Sequence, residues 1–320
     1  MNLSLLGENL TNPALLFFFL GIVAVQLKSD LEIPPTSSKF ISLYLLMSIG
    51  FKGGQELAHS ELNLEIIWSL CLGLLMALSV PVYCFFILKN RMSISNAGAI
   101  AAAYGSVSAV TFVTAVSFLE MQQIPFGGHM VAVMALMEAP SIIIGVLLMA
   151  LFAKDQPSQV SSTKILKHSV TNGSVLLIIG SLIIGYMASE AQAEGIAPFT
   201  TDIFKGFLAV FLLDMGIVSG KRIKSFMDNG WFPLVFAIVV PVINGCLMAW
   251  VSGSVTEVPG NRLLFAILAA SASYIAVPAA MKLAAPKANP SLYVPMALAI
   301  TFPFNITLGM PLYYCIIEMF

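Results

Sequence analysis

The chain has 320 residues, 58% of them hydrophobic and only 10% charged, with a formal net charge of −1. A soluble domain carries roughly 25% charged residues, so this composition excludes a water-soluble enzyme or binding domain, and the near-neutral charge excludes the basic footprint of a nucleic-acid binder. The four cysteines, Cys71, Cys84, Cys246 and Cys315, lie within apolar runs and without CxxC spacing, which argues against a disulfide framework and a zinc site.

In chain order, the apolar runs predict ten membrane spans, at about 12–27, 37–52, 64–88, 95–119, 127–153, 172–190, 201–219, 230–252, 261–282 and 291–316. Runs of this length suit a hydrocarbon core about 30 Å thick. The first passes straight into the multi-span pattern, so no cleavable signal peptide is expected. The longest polar stretch predicts a linker over 154–171 between a first half, 1–153, and a second, 172–320. With the N-terminus outside, twelve of the fifteen Lys and Arg residues fall at cytoplasmic borders, the exceptions being Lys52, Lys205 and Arg262. The positive-inside rule then places both termini outside.

The halves resemble each other. IGFKGG (49–54) matches MGIVSG (215–220), with Gly50 and Gly54 166 residues before Gly216 and Gly220. GSVSAV (105–110) matches ASASYI (270–275), with Ser106 and Ser108 165 before Ser271 and Ser273. LMEAPSI (136–142) matches AITFPFN (299–305), with Pro140 163 before Pro303. Five spans per half is an odd number, so the halves must enter the membrane from opposite sides. The expected fold is an all-α polytopic membrane protein of ten transmembrane helices in two inverted five-helix repeats, an architecture of secondary transporters.

The fourth span contains YGSVSAVTFVT (104–114), an unusual cluster of glycine and hydroxyl residues at midspan. A small-residue packing seam would explain one such stretch. Matching interruptions in both halves point instead to a binding site near the midplane. The fourth and ninth spans are therefore read as crossing helices broken near Gly105–Ser108 and Ala270–Tyr274, with Pro278 beyond the second break. Each break exposes amide donors where the helix dipole favours an anion, and Ser106, Ser108, Ser271 and Ser273 add hydroxyls.

Glu138 lies in the middle of the fifth span, two residues before Pro140. An ionisable residue there costs roughly 2.5–3.5 kcal/mol on insertion scales and by default marks a path for an ion or substrate. With Ser141, and with Thr301 and Asn305 in the related tenth span, it offers the oxygen donors that a hard cation such as sodium prefers. A protonated Glu138 bonded across helices is the structural alternative. Asp214 sits nearer the cytoplasmic end, where pairing with Lys221 or Arg222 is expected. His59 and His129 read as residues of the outer border, His168 as part of the linker, and the seventeen methionines as packing or lipid-facing. There is no HExxH, no GxxxxGK[ST] and no usable serine–histidine–acid set, so no enzyme is expected.

The chain resembles, along its whole length, the sodium-dependent bicarbonate transporter family first recognised in cyanobacteria. The residues carrying the resemblance are IGFKGG, FLLDMG before a basic loop, YGSVSAVT, MEAPSI, ILAASAS and NPSLYVP. The resemblance implies sodium-coupled bicarbonate uptake across a bacterial plasma (inner) membrane, a core unit of spans 3–5 and 8–10, and a gate unit of spans 1–2 and 6–7. It implies a homotrimer and a PII-like regulator docking from the cytoplasm. It places the anion among Gly105, Ser106, Val107, Ser108, Ser271, Ala272, Ser273 and Tyr274. It adds Ser108 and Thr111 to Glu138, Ser141, Thr301 and Asn305 as sodium ligands. Tyr274 stands where the family's ninth-span motif ends in an aspartate, so a single dominant sodium site is expected around Glu138. Symport of another small anion, such as a short carboxylate, with sodium or protons through the same breaks is the alternative reading; from a different class come a proton-coupled exchanger centred on Glu138 and a gated channel or sensor whose pocket binds ligand without transport.

Overall fold

The computed structural model of the chain describes residues 7, 9–59, 63–152, 173–227 and 230–320, and all regular structure among them is helical. The predicted linker lies outside the described residues. The helices are α1 (Pro13–Gln26), α2 (Pro35–Ala58), α3 (Leu64–Leu88), α4 (Ile94–Gly105), α5 (Ala109–Met121), α6 (His129–Phe152), α7 (Gly173–Met187), α8 (Glu190–Ala197), α9 (Phe204–Met227), α10 (Trp231–Val251), α11 (Pro259–Ala270) and α12 (Ala276–Ala284). A last helical stretch, α13, runs over Pro290–Met319.

Several starts are set by side chains that accept from otherwise orphaned amides. Asn12 caps α1 through the Ala14 amide, Asn63 caps α3 through Ile66, and Ser93 caps α4 through Asn96. A capping box at Ser189 and Gln192 starts α8. The S-x-x-Q pattern was legible there, yet the seventh span was predicted to begin only near 201. Residues 190–223 instead form one continuous helical stretch. The second span also runs past its predicted end, to Ala58. Its polar last turns stay helical because they are packed and paired, with Gly53 against Val131 and Lys52 bonded to Glu120.

Among the described residues, six stretches are long and apolar enough to cross a membrane: Leu64–Leu88, Ile94–Met121 across its break, His129–Phe152, Glu190–Ile223, Trp231–Ser254 and Pro290–Met319. The apolar helices α1 and α7 are shorter. The chain is an all-α, multi-pass membrane protein with discontinuous helices. The apolar window of Ile94–Met121 is 89% buried, against 39% for Leu64–Leu88. Its hydroxyls therefore face protein, while much of α3 is left exposed by the rest of the chain.

Packing separates two arrangements. Helices α3, α4 and α6 pack on one another, as do α10, α11 and α13; outside these clusters α1 pairs with α9 and α2 with α7. The glycine motifs make those pairs. A Cβ at Gly54 would overlap the Leu182 carbonyl and one at Gly185 the Phe51 carbonyl. A Cβ at Gly216 would overlap the Phe18 carbonyl and one at Gly21 the Leu213 carbonyl. Such backbone-to-backbone contact is how helices associate where lipid removes the hydrophobic drive. Gly216→Val is expected to cost about 1–3 kcal/mol by overpacking, visible as loss of the monodisperse peak in detergent size-exclusion, with Val210→Leu, at an exposed position of the same helix, as the control.

Candidate functional site

Helix α4 stops at Gly105 because Ser106 turns extended, with φ −81° and ψ 177°. Helix α11 stops at Ala270 in the same way, with Ser271 at φ −85° and ψ 168°. Gly105 lies flat on the Pro81 ring, a contact that any Cβ would block. The two breaks meet. The Ser108 amide donates to Ser271 Oγ at 3.0 Å, and the Ser273 amide donates to the Ala103 carbonyl at 2.8 Å. Amides that a broken helix would leave without partners are thereby satisfied by the other break, which makes the crossing stable inside a bilayer.

Beyond the breaks, α5 starts at Ala109 with Ser108 as its cap, the Thr111 amide donating to Ser108 Oγ at 3.2 Å. Helix α12 starts at Ala276, and its cap position, Ile275, supplies no side-chain bond. Ala109 and Ala276 both line one small cavity together with Val107, Ser108, Glu138, Ser273 and Tyr274. Leu46, Ser174 and Ile178 close it from α2 and α7. About 30 Å³ of it is open to water-sized atoms, room for one or two small occupants. Two helix N-termini thus face the same space, each with the partial positive charge that attracts an anion.

Glu138 contributes the opposite charge. Among the described residues its carboxylate has no hydrogen-bond or ion-pair partner; only its backbone carbonyl is contacted, by Ser106 Oγ at 3.5 Å. Thr111 Oγ1, 1% exposed and one turn into α5, also has no partner. Both retain lone pairs of the kind a cation takes, Glu138 at the cavity wall and Thr111 behind Ser108, outside the lining.

Of the residues expected to hold the anion, Val107, Ser108, Ser273 and Tyr274 line the cavity, while Gly105, Ser106, Ser271 and Ala272 form the buried backbone behind it. The expected sodium set divides. Glu138 and Ser108 line the cavity and Thr111 adjoins Ser108. Ser141, Thr301 and Asn305 do not line it, and their side chains bond carbonyls of neighbouring helices. Ser141 Oγ donates toward the carbonyls of Ala77 and Gly105, at 2.8 and 2.5 Å. Thr301 Oγ1 donates to the Ala237 carbonyl at 2.7 Å, and Asn305 Nδ2 to the Ala270 carbonyl at 2.7 Å. The last helix, moreover, is π-helical over Met296–Thr301 and Asn305–Gly309. These wide turns lie between Pro295, Pro303 and Pro311, each of which withholds a backbone donor.

Other expectations shift as well. Asp214, expected to pair with Lys221 or Arg222, does feel the charge of Lys221 and in addition accepts from Ser38 Oγ at 2.5 Å and lines a wide cleft. The reason is reach: Ser38 on α2 packs directly across from it, so the carboxylate bonds within the helix bundle. His129, read as interfacial, is 6% exposed with no partner for Nε2. His59 is exposed, as expected, and bonds the Gln55 carbonyl and Glu190.

Crossed half-helices whose N-termini share one cavity with a carboxylate, inside a multi-pass bundle, belong to the class of secondary transporters of small ions. The chain belongs to the Na+-dependent bicarbonate transporter superfamily, whose family model matches residues 13–318. No curated protein matches the chain. Membership makes it a transport protein rather than an enzyme, in a family of sodium-dependent carriers.

Proposed function

We propose that the protein carries bicarbonate into a bacterial cell together with sodium, binding the anion between the N-termini of α5 and α12. The observation that carries this reading is the shared cavity of Ala109, Ala276, Ser108, Ser273 and the unpartnered Glu138. An anion placed there alone would be repelled by the carboxylate. A sodium ion held by Glu138 with Ser108 and Thr111 removes that repulsion, so each solute improves the site for the other. The coupling also has an electrical use. Moving a monoanion into a negative-inside cell costs about 2.3 kcal/mol per 100 mV, which one accompanying Na+ cancels.

The proposal includes ten crossings in two inverted halves. It is supported by equivalent bonds at a constant offset: Ser141 to Ala77 O in one cluster and Thr301 to Ala237 O in the other. The α3–α4–α6 and α10–α11–α13 clusters form the core unit, and α1, α2, α7 and α9 the gate unit. A homotrimer, and a PII-like regulator at the cytoplasmic face, belong to the same reading through the family resemblance. Uptake of labelled bicarbonate into proteoliposomes under an inward sodium gradient tests it, with acetate as the competing anion. Faster acetate uptake would transfer the site to short carboxylates, and equal flux under every gradient would make the protein a channel.

The same reading places both termini outside. Lys221→Cys is then expected to resist an impermeant thiol reagent in intact cells and to react in inverted vesicles, read on the peptide that carries residue 221. Labelling from outside would reverse the topology.

A further inference from the structure

Three separate spaces lie along one face of α2. Ser38, Lys39 and Ser42 border the wide cleft, which has a volume of about 400 Å³. Two turns on, Leu46 borders the central cavity. Over the next one to three turns, Ile49, Lys52, Gly53 and Glu56 border a third space of about 20 Å³, whose far wall is Glu120 on α5. At 1.5 Å per residue, the three are centred roughly 10 Å apart along the helix axis.

The two ends differ. The cleft and the central cavity share Ser174, Tyr274 and Ile275, so the centre adjoins the open cleft at the Lys39 end. The other end is shut by Lys52 Nζ, which lies 2.7 Å from Glu120 Oε1. Both side chains are partly buried, at 30% and 25% exposure, and the ammonium also sits 5.8 Å from the Phe204 ring centre. Lys52 belongs to a helix paired with α7, whereas Glu120 belongs to the half-helix that begins at the site. The ion pair therefore joins the two groups of helices between which the path runs.

We infer that the path of the solutes follows this face of α2 and that Lys52–Glu120 is a gate across its outer end, closed in this structure and parted each time the site meets the outside. The inference rests on the transporter reading. An ion pair suits the task because a partly exposed pair adds little net stability, and both charges regain water when it parts. Once open, it presents an ammonium to the arriving anion and the Glu56 and Glu120 carboxylates to the arriving cation.

The test is reagent access. Ile49→Cys is labelled from outside with an impermeant thiol reagent, and the peptide carrying residue 49 is quantified so that the native cysteines do not count. Adding E120Q is expected to raise the labelling rate at least about fivefold, and the swapped pair K52E with E120K to return it toward the original value. Equal rates in all three backgrounds would overturn the gate. Should the charge variants fail to fold, K52C with E120C provides a second measure. Oxidative cross-linking is expected to cut uptake below a tenth, with recovery on reduction. Failure of the pair to cross-link, or full uptake when linked, would overturn the inference. Labelling does not depend on which solute is carried, so a wrong substrate leaves this outcome readable.

Discussion

Glu138→Gln is expected to raise the sodium concentration for half-maximal uptake at least about tenfold, with part of the maximal rate recovered at saturating sodium. The substitution keeps the side chain's size and one carbonyl oxygen but removes the negative charge. Two unit charges 4 Å apart attract by about 4 kcal/mol at an effective dielectric of 20, and a tenfold change in affinity needs only about 1.4 kcal/mol. The effect is thus visible even if Ser108 and Thr111 compensate for much of the loss. The helix N-termini that would hold the anion are untouched, which is why rate should return at high sodium. If Glu138 carries a proton instead, glutamine mimics its neutral form. Sodium dependence then stays as it was while pH dependence disappears. Titrating uptake against sodium at two pH values separates the outcomes, and wild-type uptake indifferent to sodium would overturn the symport.

Ser108→Ala is expected to lower uptake by about tenfold or more while leaving expression and oligomer size intact. Two losses coincide there. The cap on the Thr111 amide contributes roughly 1 kcal/mol to the start of α5. Removing a hydrogen-bond partner from a desolvated charged solute costs a further 1–3 kcal/mol or so. Ser108→Gly separates them, since glycine at a cap position costs only a few tenths of a kcal/mol relative to serine. Both variants should lose uptake, and the alanine alone should lower the melting temperature. A glycine variant within a factor of about two of wild type would leave Ser108 a capping residue and nothing more. Ser273→Ala, which opens the same cavity from the other break, should reduce uptake similarly.

Much of the fold was legible because lipid imposes simple demands. Apolar runs had to become helices, and the predicted third span coincides with Leu64–Leu88. The breaks were legible because small hydroxyl residues at midspan recur in both halves, and the crossing indeed brings Ser108 onto Ser271. What escaped was the division of labour among the hydroxyls. Ser141, Thr301 and Ser108 are chemically alike in sequence, yet two hold carbonyls of neighbouring helices while one lines the cavity. Only the packing of helices distant in sequence decides that. The wide turns of α13 escaped for a related reason, since proline spacing signals a missing donor without saying how the freed carbonyls are satisfied. The charged end of α2 escaped because Lys52 counts as polar in any hydropathy window, and its partner lies 68 residues away.

The glycine seams bear on how the chain is made. Helix α1 finds its partner in α9 and α2 finds its own in α7, so both close pairs join the first half to the second. During synthesis, α3, α4 and α6 can already cluster in the bilayer. The bare backbone faces at Gly21, Gly50 and Gly54 must wait for residues 173–227 to be inserted. Until then those faces meet lipid chains, which fill a glycine groove poorly. Assembly of this protein therefore includes a clasp across its two halves, in which the earliest helices are secured only after the first half is complete.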